Sequence, residues 1–288
     1  TVLSSVYYVH KKLLVSKYTA IIQLIYGQLT EKVSIYALTK TNNSIEKKDI
    51  PLSKGKSDIR ISYVSGVALQ LSKSHNSQPF SIANSIAADL SASFDAYLMV
   101  EVLPKGLIQI QVTDLFLALW LQNFIDKNRS IERAEVTYLD LGTALQDYVF
   151  SIQYVHARCC SLLRLAQQEK LIDFNVYLKK NSCESIPWLN NDGQLRLNHQ
   201  AERRLIASLV RIIDELEPII PRPLKWEGAA LRLAAAFEDV WSTCRIHDDL
   251  SAIAPELVRA RIGLIAATQS VLRFLLEEKL GIPACLEL

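Results

Sequence analysis

The chain has 288 residues, half of them apolar and 22% charged, with a formal net charge of +2. That composition excludes a disordered or fibrous chain, and the length suits two modest globular domains or one large one. Its longest apolar stretches, such as Leu115 to Leu121, fall far short of the ~20 residues a membrane-spanning helix needs, and only a short apolar run lies among Lys11, Lys12 and Lys17, so a soluble, cytoplasmic protein without a membrane partner is expected.

Residues 13–26 and 33–39 are short apolar segments around Gly27-Gln28, and the alternation of Val33 to Leu38 predicts a helix followed by a strand. Thr39 to Ser57 is polar, with Asn42-Asn43, Pro51 and Gly55, and reads as a loop. Within Ile59 to Ser72, Val64, Val67, Ala68 and Leu71 stand three and four apart and predict an amphipathic helix. Phe80 to Leu90 repeats the pattern with Ile82, Ile86 and Leu90, after a helix start at Ser77-Gln78-Pro79. Ala96 to Leu103 and Leu107 to Val112 read as two strands joined by Pro104-Lys105-Gly106. Thr113 or Asp114 then caps a helix through Phe124.

From Gly142 onward the periodicity is almost wholly helical: Leu145 to Gln168, Ala201 to Leu216, Trp226 to Cys244 and Pro255 to Lys279. Prolines at 218, 221 and 223 separate two of these helices, and 173–198 reads as a long irregular insertion. The fold class is therefore α+β, a small N-terminal α+β domain followed by an all-α helical bundle. Residues 1–128 are expected to form the first domain and 129–288 the second.

Five cysteines, at 159, 160, 183, 244 and 285, contain no CxxC pair. Cys159 and Cys160 point about 100° apart on a helix, so they are expected to be buried apolar residues in a reducing compartment, with no metal site. Charge is uneven: residues 1–130 hold 14 Lys/Arg against 9 Asp/Glu, a balance of +5, whereas 131–288 hold 18 against 21, a balance of −3. The second figure is low for a surface that lives on phosphate contacts. Arg203, Arg204, Arg211, Lys179 and Lys180 are expected on solvated faces. Lys54-Gly55-Lys56-Ser57 is no P-loop, because the first glycine of that motif is missing.

Gln153-Tyr154-Val155-His156-Ala157-Arg158 resembles the QYxHAR signature that opens the helical anticodon-binding (DALR) domain of arginyl-tRNA synthetases. Leu233 to Cys244 is similar to that family's L-A-x-x-F-x-x-[FY]-[YW] helix, Arg259 to Leu272 to its R-x-R-L-x-L-x-x-A-T-x-x-V-L helix, and Leu280-Gly281-Ile282-Pro283-Ala284 to its L-G-I-x-A-P turn. In the first half, Tyr63 to Leu71, Ser77 to Ala83 and Lys105 to Ile110 resemble, in order, motifs of the family's N-terminal additional domain, which contacts the tRNA elbow. Leu107 and Ile110 stand where that domain has aromatic residues, and Gln109 where it has Asn. The family's catalytic motifs, HxGH and KMSK, do not occur among the 288 residues; Val136 to Tyr148 resembles only the last residues of the catalytic domain.

The resemblance implies an arginyl-tRNA synthetase-like protein that binds tRNA, with arginine tRNA the expected cognate, and is not an enzyme for aminoacylation. It implies tRNA contacts at Trp241, Arg245, Phe237, Tyr154 and Arg158 in the bundle and at Lys105 and Gln109 in the first half. Trp241 is a candidate for stacking an unpaired base and Arg245 for reaching a phosphate. Tyr154 and Arg158, at i and i+4, are expected to share a helix face, and His156 to be a hydrogen-bonded packing residue. No cofactor is expected. Such a protein would serve as a chaperone of tRNA or as the substrate-capturing partner of a tRNA-modifying enzyme. The alternative is a protein-interaction scaffold that re-uses the bundle with RNA binding lost, which the −3 balance favours.

Overall fold

The computed structural model describes residues 19–41, 50–75, 77–127, 146–171, 185–220, 223–244 and 254–287. They fall into two compact units, one reaching to Leu117 and taking in 213–222, the other running from Ala118 to Ile212 and from Pro223 onward.

The first unit opens with helix α1 (Ile21–Thr41). Ile21, Leu24, Ile25, Leu29 and Val33 are all buried, the three- and four-residue spacing of one helical stripe. The strand expected over 33–38 is therefore corrected: the helix runs through Gly27 and continues past Leu38. A glycine inside a helix costs roughly 1 kcal/mol against alanine, less than the ~1.5–3 kcal/mol contributed by burying each large aliphatic residue.

A second correction concerns 59–72. Ile61, Tyr63 and Ser65 are buried while Ser62 and Val64 between them are half-exposed, the alternation of a strand. Strand β2 (Ser62–Ser65) pairs with the short β1 (Leu52–Lys54), which lies in the stretch expected to be loop. Only then does helix α2 (Val67–His75) begin. The Ser65 hydroxyl marks the switch, donating to the Pro51 carbonyl at 2.7 Å and accepting the Val67 N–H at 3.3 Å. Helix α3 (Pro79–Phe94) and strands β3 (Leu98–Leu103) and β4 (Leu107–Val112) follow as expected.

The four strands lie in the order β1-β2-β4-β3, every neighbour antiparallel. Tyr63, Ile110 and Val100 form one cross-strand row, on the face that α2 and α3 cover; α1 packs on α3. The opposite face carries Ser53, Val64, Gln109 and Glu101 in register. Between β3 and β4 the chain turns through Lys105 (φ 68°) and Gly106 (φ 82°). A Cβ on Gly106 would stand 2.8 Å from the Pro79 carbonyl carbon, so glycine is required there by both backbone angle and space. Thr113 caps α4 (Asp114–Lys127), its hydroxyl receiving the Phe116 N–H at 3.3 Å.

Asp214 belongs to this unit and sits in its interior. Its Oδ1 accepts the Ile22 N–H at 3.0 Å, giving the N-terminus of α1 a carboxylate. Its Oδ2 accepts the Tyr63 hydroxyl at 2.6 Å and faces Lys54 Nζ at 3.7 Å.

In the second unit α5 (Gln146–Gln168), α6 (Gln200–Leu216, of which the part up to Ile212 belongs here), α7 (Trp226–Thr243) and α8 (Pro255–Phe274) are the four helices read from the periodicity. Helix α8 passes into a π-helical turn, Leu275–Leu280, closed by Gly281 at φ 66°. Helices α5, α7 and α8 pack on one another around Ile152, Val155, Leu233, Phe237, Leu264 and Val271, all buried. Glu202, buried in the first turn of α6, accepts the His199 N–H at 3.0 Å and pairs with Arg261 of α8 at 2.7 Å, which satisfies both a helix terminus and a buried charge. The segment after residue 184 is irregular, as expected, and Gln122 Oε1 fixes it by accepting both the Ile186 N–H and the Trp188 indole N–H. Among the described residues no helix is long and apolar enough to cross a membrane.

Candidate nucleic-acid interface

Residues of α5 sort by helical position onto two sides. Gln153 donates from Nε2 to the Pro283 carbonyl at 2.8 Å, and His156 Nδ1 lies 2.9 Å from the Cys285 carbonyl oxygen. A carbonyl oxygen can only accept, so Nδ1 carries the proton and Nε2 receives the Gln269 amide at 2.8 Å. His156 is wholly buried, and that burial lowers its pKa from 6.5, with Arg273 acting in the same direction and the Cys285 bond and Glu277 against it. Further along, Arg164 binds Glu287 at 2.7 Å. This side of α5 holds the segment from Pro283 to Glu287 along the helix, and His156 is a packing residue as expected.

On the other side stand Phe150, Tyr154 and Arg158, each four residues from the next. The Phe150 and Tyr154 rings stack with centroids 6.2 Å apart and planes 23° apart, and they are 57% and 40% exposed. Arg158 Nη1 donates to the Tyr154 hydroxyl at 2.7 Å. The guanidinium carbon lies 5.8 Å from the Tyr154 ring centre and 4.1 Å from that of Trp241 on α7, within cation–π range. Four planar groups, one of them cationic, thus form a ladder on the surface of the bundle, with Trp241 partly exposed at its end.

Residues 152–288 match the DALR anticodon-binding domain family. Curated relatives include arginine–tRNA ligases of Synechococcus sp., 32% identical over 47% of this chain and 21% of the relative, and of Gloeobacter violaceus, 33% identical over 43% and 20%. A third, from Pelodictyon phaeoclathratiforme, is 36% identical over 43% and 20%. Over just under half of the chain, then, the bundle is homologous to the DALR anticodon-binding domain of such ligases. The chain spans about a fifth of the length of the ligases it matches, and those matches cover the DALR region alone. No solved structure matches the chain.

Within the DALR domain, the structure brings Tyr154, Arg158 and Trp241 together. Phe237 lies one helical turn before Trp241 but is wholly buried, because the α7 face it occupies packs on α5 and α8; it offers no ring face to a base, which removes it from the candidates. Arg245 lies outside the described residues. Lys105 and Gln109 belong to the other unit, Lys105 exposed at the β3–β4 turn and Gln109 half-exposed on the sheet face opposite α2 and α3. Phe150 was missed by sequence reading, although its i, i+4, i+8 relation to Tyr154 and Arg158 was there to find. Of the other arginines, Arg204 faces Asp239 at 3.8 Å and Arg211 is exposed; Lys179 and Lys180 lie outside the described residues.

Three of the domain's cysteines are held unreactive by burial. Cys159, Cys160 and Cys244 are buried, and burial raises each thiol pKa, well above its ordinary value for Cys159. Cys244 Sγ rests 3.2 Å from His199 Nδ1, but a thiol held protonated is no nucleophile. Among the described residues no cluster of His, Cys, Asp or Glu is arranged to hold a metal ion.

Proposed function

We propose that this chain binds tRNA, with arginine tRNA as the cognate, through the exposed ladder of its DALR domain, and that it does not itself attach arginine. The observation that carries this reading is the meeting of Tyr154, Arg158 and Trp241 on one surface of a domain homologous to the anticodon-binding part of arginine–tRNA ligases. An aromatic ring that stacks an unpaired base contributes roughly 1–3 kcal/mol, and a guanidinium beside it attracts phosphate. The 288 residues contain neither HxGH nor KMSK, hence no groups of that kind to hold ATP phosphates for adenylate formation. Cytoplasmic residence fits the free thiols of Cys159, Cys160, Cys244 and Cys285. A bound tRNA would be protected or presented to a tRNA-modifying enzyme.

Sequencing the tRNA retained by the purified chain from a total tRNA pool tests the cognate: arginine isoacceptors are expected to be enriched, and uniform recovery would refute that part. Arginine-dependent ATP–pyrophosphate exchange is expected to be absent; measurable exchange would refute the non-catalytic part. Retention of no tRNA would favour the protein-scaffold reading, consistent with the −3 balance of residues 131–288.

A further inference from the structure

Phe150 is a large apolar side chain held more than half in solvent, and among the described residues its ring stacks with that of Tyr154. Burial does not account for its position, since the transfer free energy of an aromatic ring is gained only when water leaves its surface. What it does is lengthen the ladder along α5. From Phe150 to Tyr154 the separation is 6.2 Å, and from Tyr154 to the Arg158 guanidinium 5.8 Å. Stacked bases in a nucleic-acid strand repeat at ~3.4 Å, so the rungs stand nearly twice as far apart. That spacing suits bases pulled away from each other and laid singly on their own rings, the condition of an unpaired loop rather than a duplex.

Resting on the RNA reading above, we infer that Phe150 is a further base-stacking platform, so that a single-stranded loop runs along α5 with one unpaired base on Phe150, beyond those at Tyr154 and Trp241. The Phe150 ring has no hydrogen-bonding group, and the Tyr154 hydroxyl already accepts from Arg158. The Phe150 rung therefore grips a base by its face and tolerates any sequence, whereas the Tyr154 O–H keeps its proton to donate.

The test compares the whole chain with Phe150→Ala and Phe150→Trp, titrated against a labelled hairpin RNA with a wide unpaired loop and against a blunt duplex of similar composition. Phe150→Ala is expected to weaken loop binding at least about fivefold, to leave weak duplex binding unchanged, and to keep the wild-type thermal midpoint, since the ring is exposed. Phe150→Trp is expected to retain loop binding and to show fluorescence quenching by the loop beyond that of the wild type. Loop binding unchanged in Phe150→Ala but lost in Trp241→Ala would overturn this inference and leave the RNA reading standing, as would an added indole that the loop does not quench. A wild-type chain that binds neither RNA would overturn both.

Discussion

Adjacent residues of α5 do different work because consecutive side chains on a helix point about 100° apart. Gln153 and His156 hold the Pro283–Cys285 backbone, whereas Tyr154 and Arg158 face outward toward Trp241. His156→Ala would leave the Cys285 carbonyl unpaired and the Gln269 amide with only the Cys160 sulfur beside a new cavity, and is expected to cost roughly 2–4 kcal/mol in chemical denaturation. The same site makes stability depend on pH. Burial keeps the folded pKa below 6.5, so on acidification the unfolded chain takes up the proton first, and the contribution present above 6.5 is lost as pH falls toward the folded value. His156→Gln is expected to flatten that dependence; an equally steep loss in the variant would show that another group is responsible.

Asp214 has the opposite sign. Burial raises its carboxyl above 3.8, against the lowering pull of Lys54, Tyr63 and the N–H groups of α1. Because the folded unit binds this proton more tightly than the unfolded chain, the contribution is fullest below 3.8 and is lost as pH rises through the folded value. Asp214→Asn keeps an acceptor for Ile22 and a partner for the Tyr63 oxygen but no longer titrates. Its stability measured across this window is expected to lack the decline with rising pH; a decline as large as that of the wild type would contradict this.

At the scale of elements, α8 meets the segment around Trp188 at a glycine. A Cβ on Gly263 would stand 2.6 Å from Trp188 Cη2 and 2.7 Å from Ile186 Cδ1, and the indole cannot swing aside freely while Gln122 holds its N–H. Gly263→Ala is expected to destabilise the DALR domain by about 1–3 kcal/mol despite the better helix propensity of alanine, with a shifted tryptophan emission; a stabilised variant would mean that the contact relaxes at little cost. The four bundle helices were legible because each sustains one apolar stripe over four turns or more. Short segments were not. Val33 to Leu38 alternates for only six residues, too few to separate a strand from part of a helical stripe, and only the buried Ile21 to Leu29 run shows which period holds. Between 59 and 72 a strand and a helix follow each other within one residue, so Val64 joined Val67 and Leu71 in a false helical pattern; Tyr63, buried between half-exposed neighbours, was the signal for the strand. The candidate site was legible in part. Tyr154, Arg158 and Trp241 came from a resemblance of motifs, whereas the burial of Phe237 and the reach of Phe150 depend on how α5, α7 and α8 pack.

For the molecule as a whole, net charge argues weakly and local arrangement more strongly. Residues 131–288 carry a balance of −3, yet a cation held between two aromatic rings is a local feature that a total does not register. A protein that grips RNA by ring faces as well as by phosphates shows a shallower salt dependence than one relying on charge alone, because stacking releases no counterions. The measurement that bears most directly on this account is the affinity of the purified chain for tRNA as salt is varied, for the wild type and for Trp241→Ala. The account predicts wild-type binding that strengthens as salt falls, and a variant weaker by roughly five- to a hundredfold at every salt concentration with the slope unchanged. Equal affinity of the two proteins, or no binding by either at low salt, would contradict it.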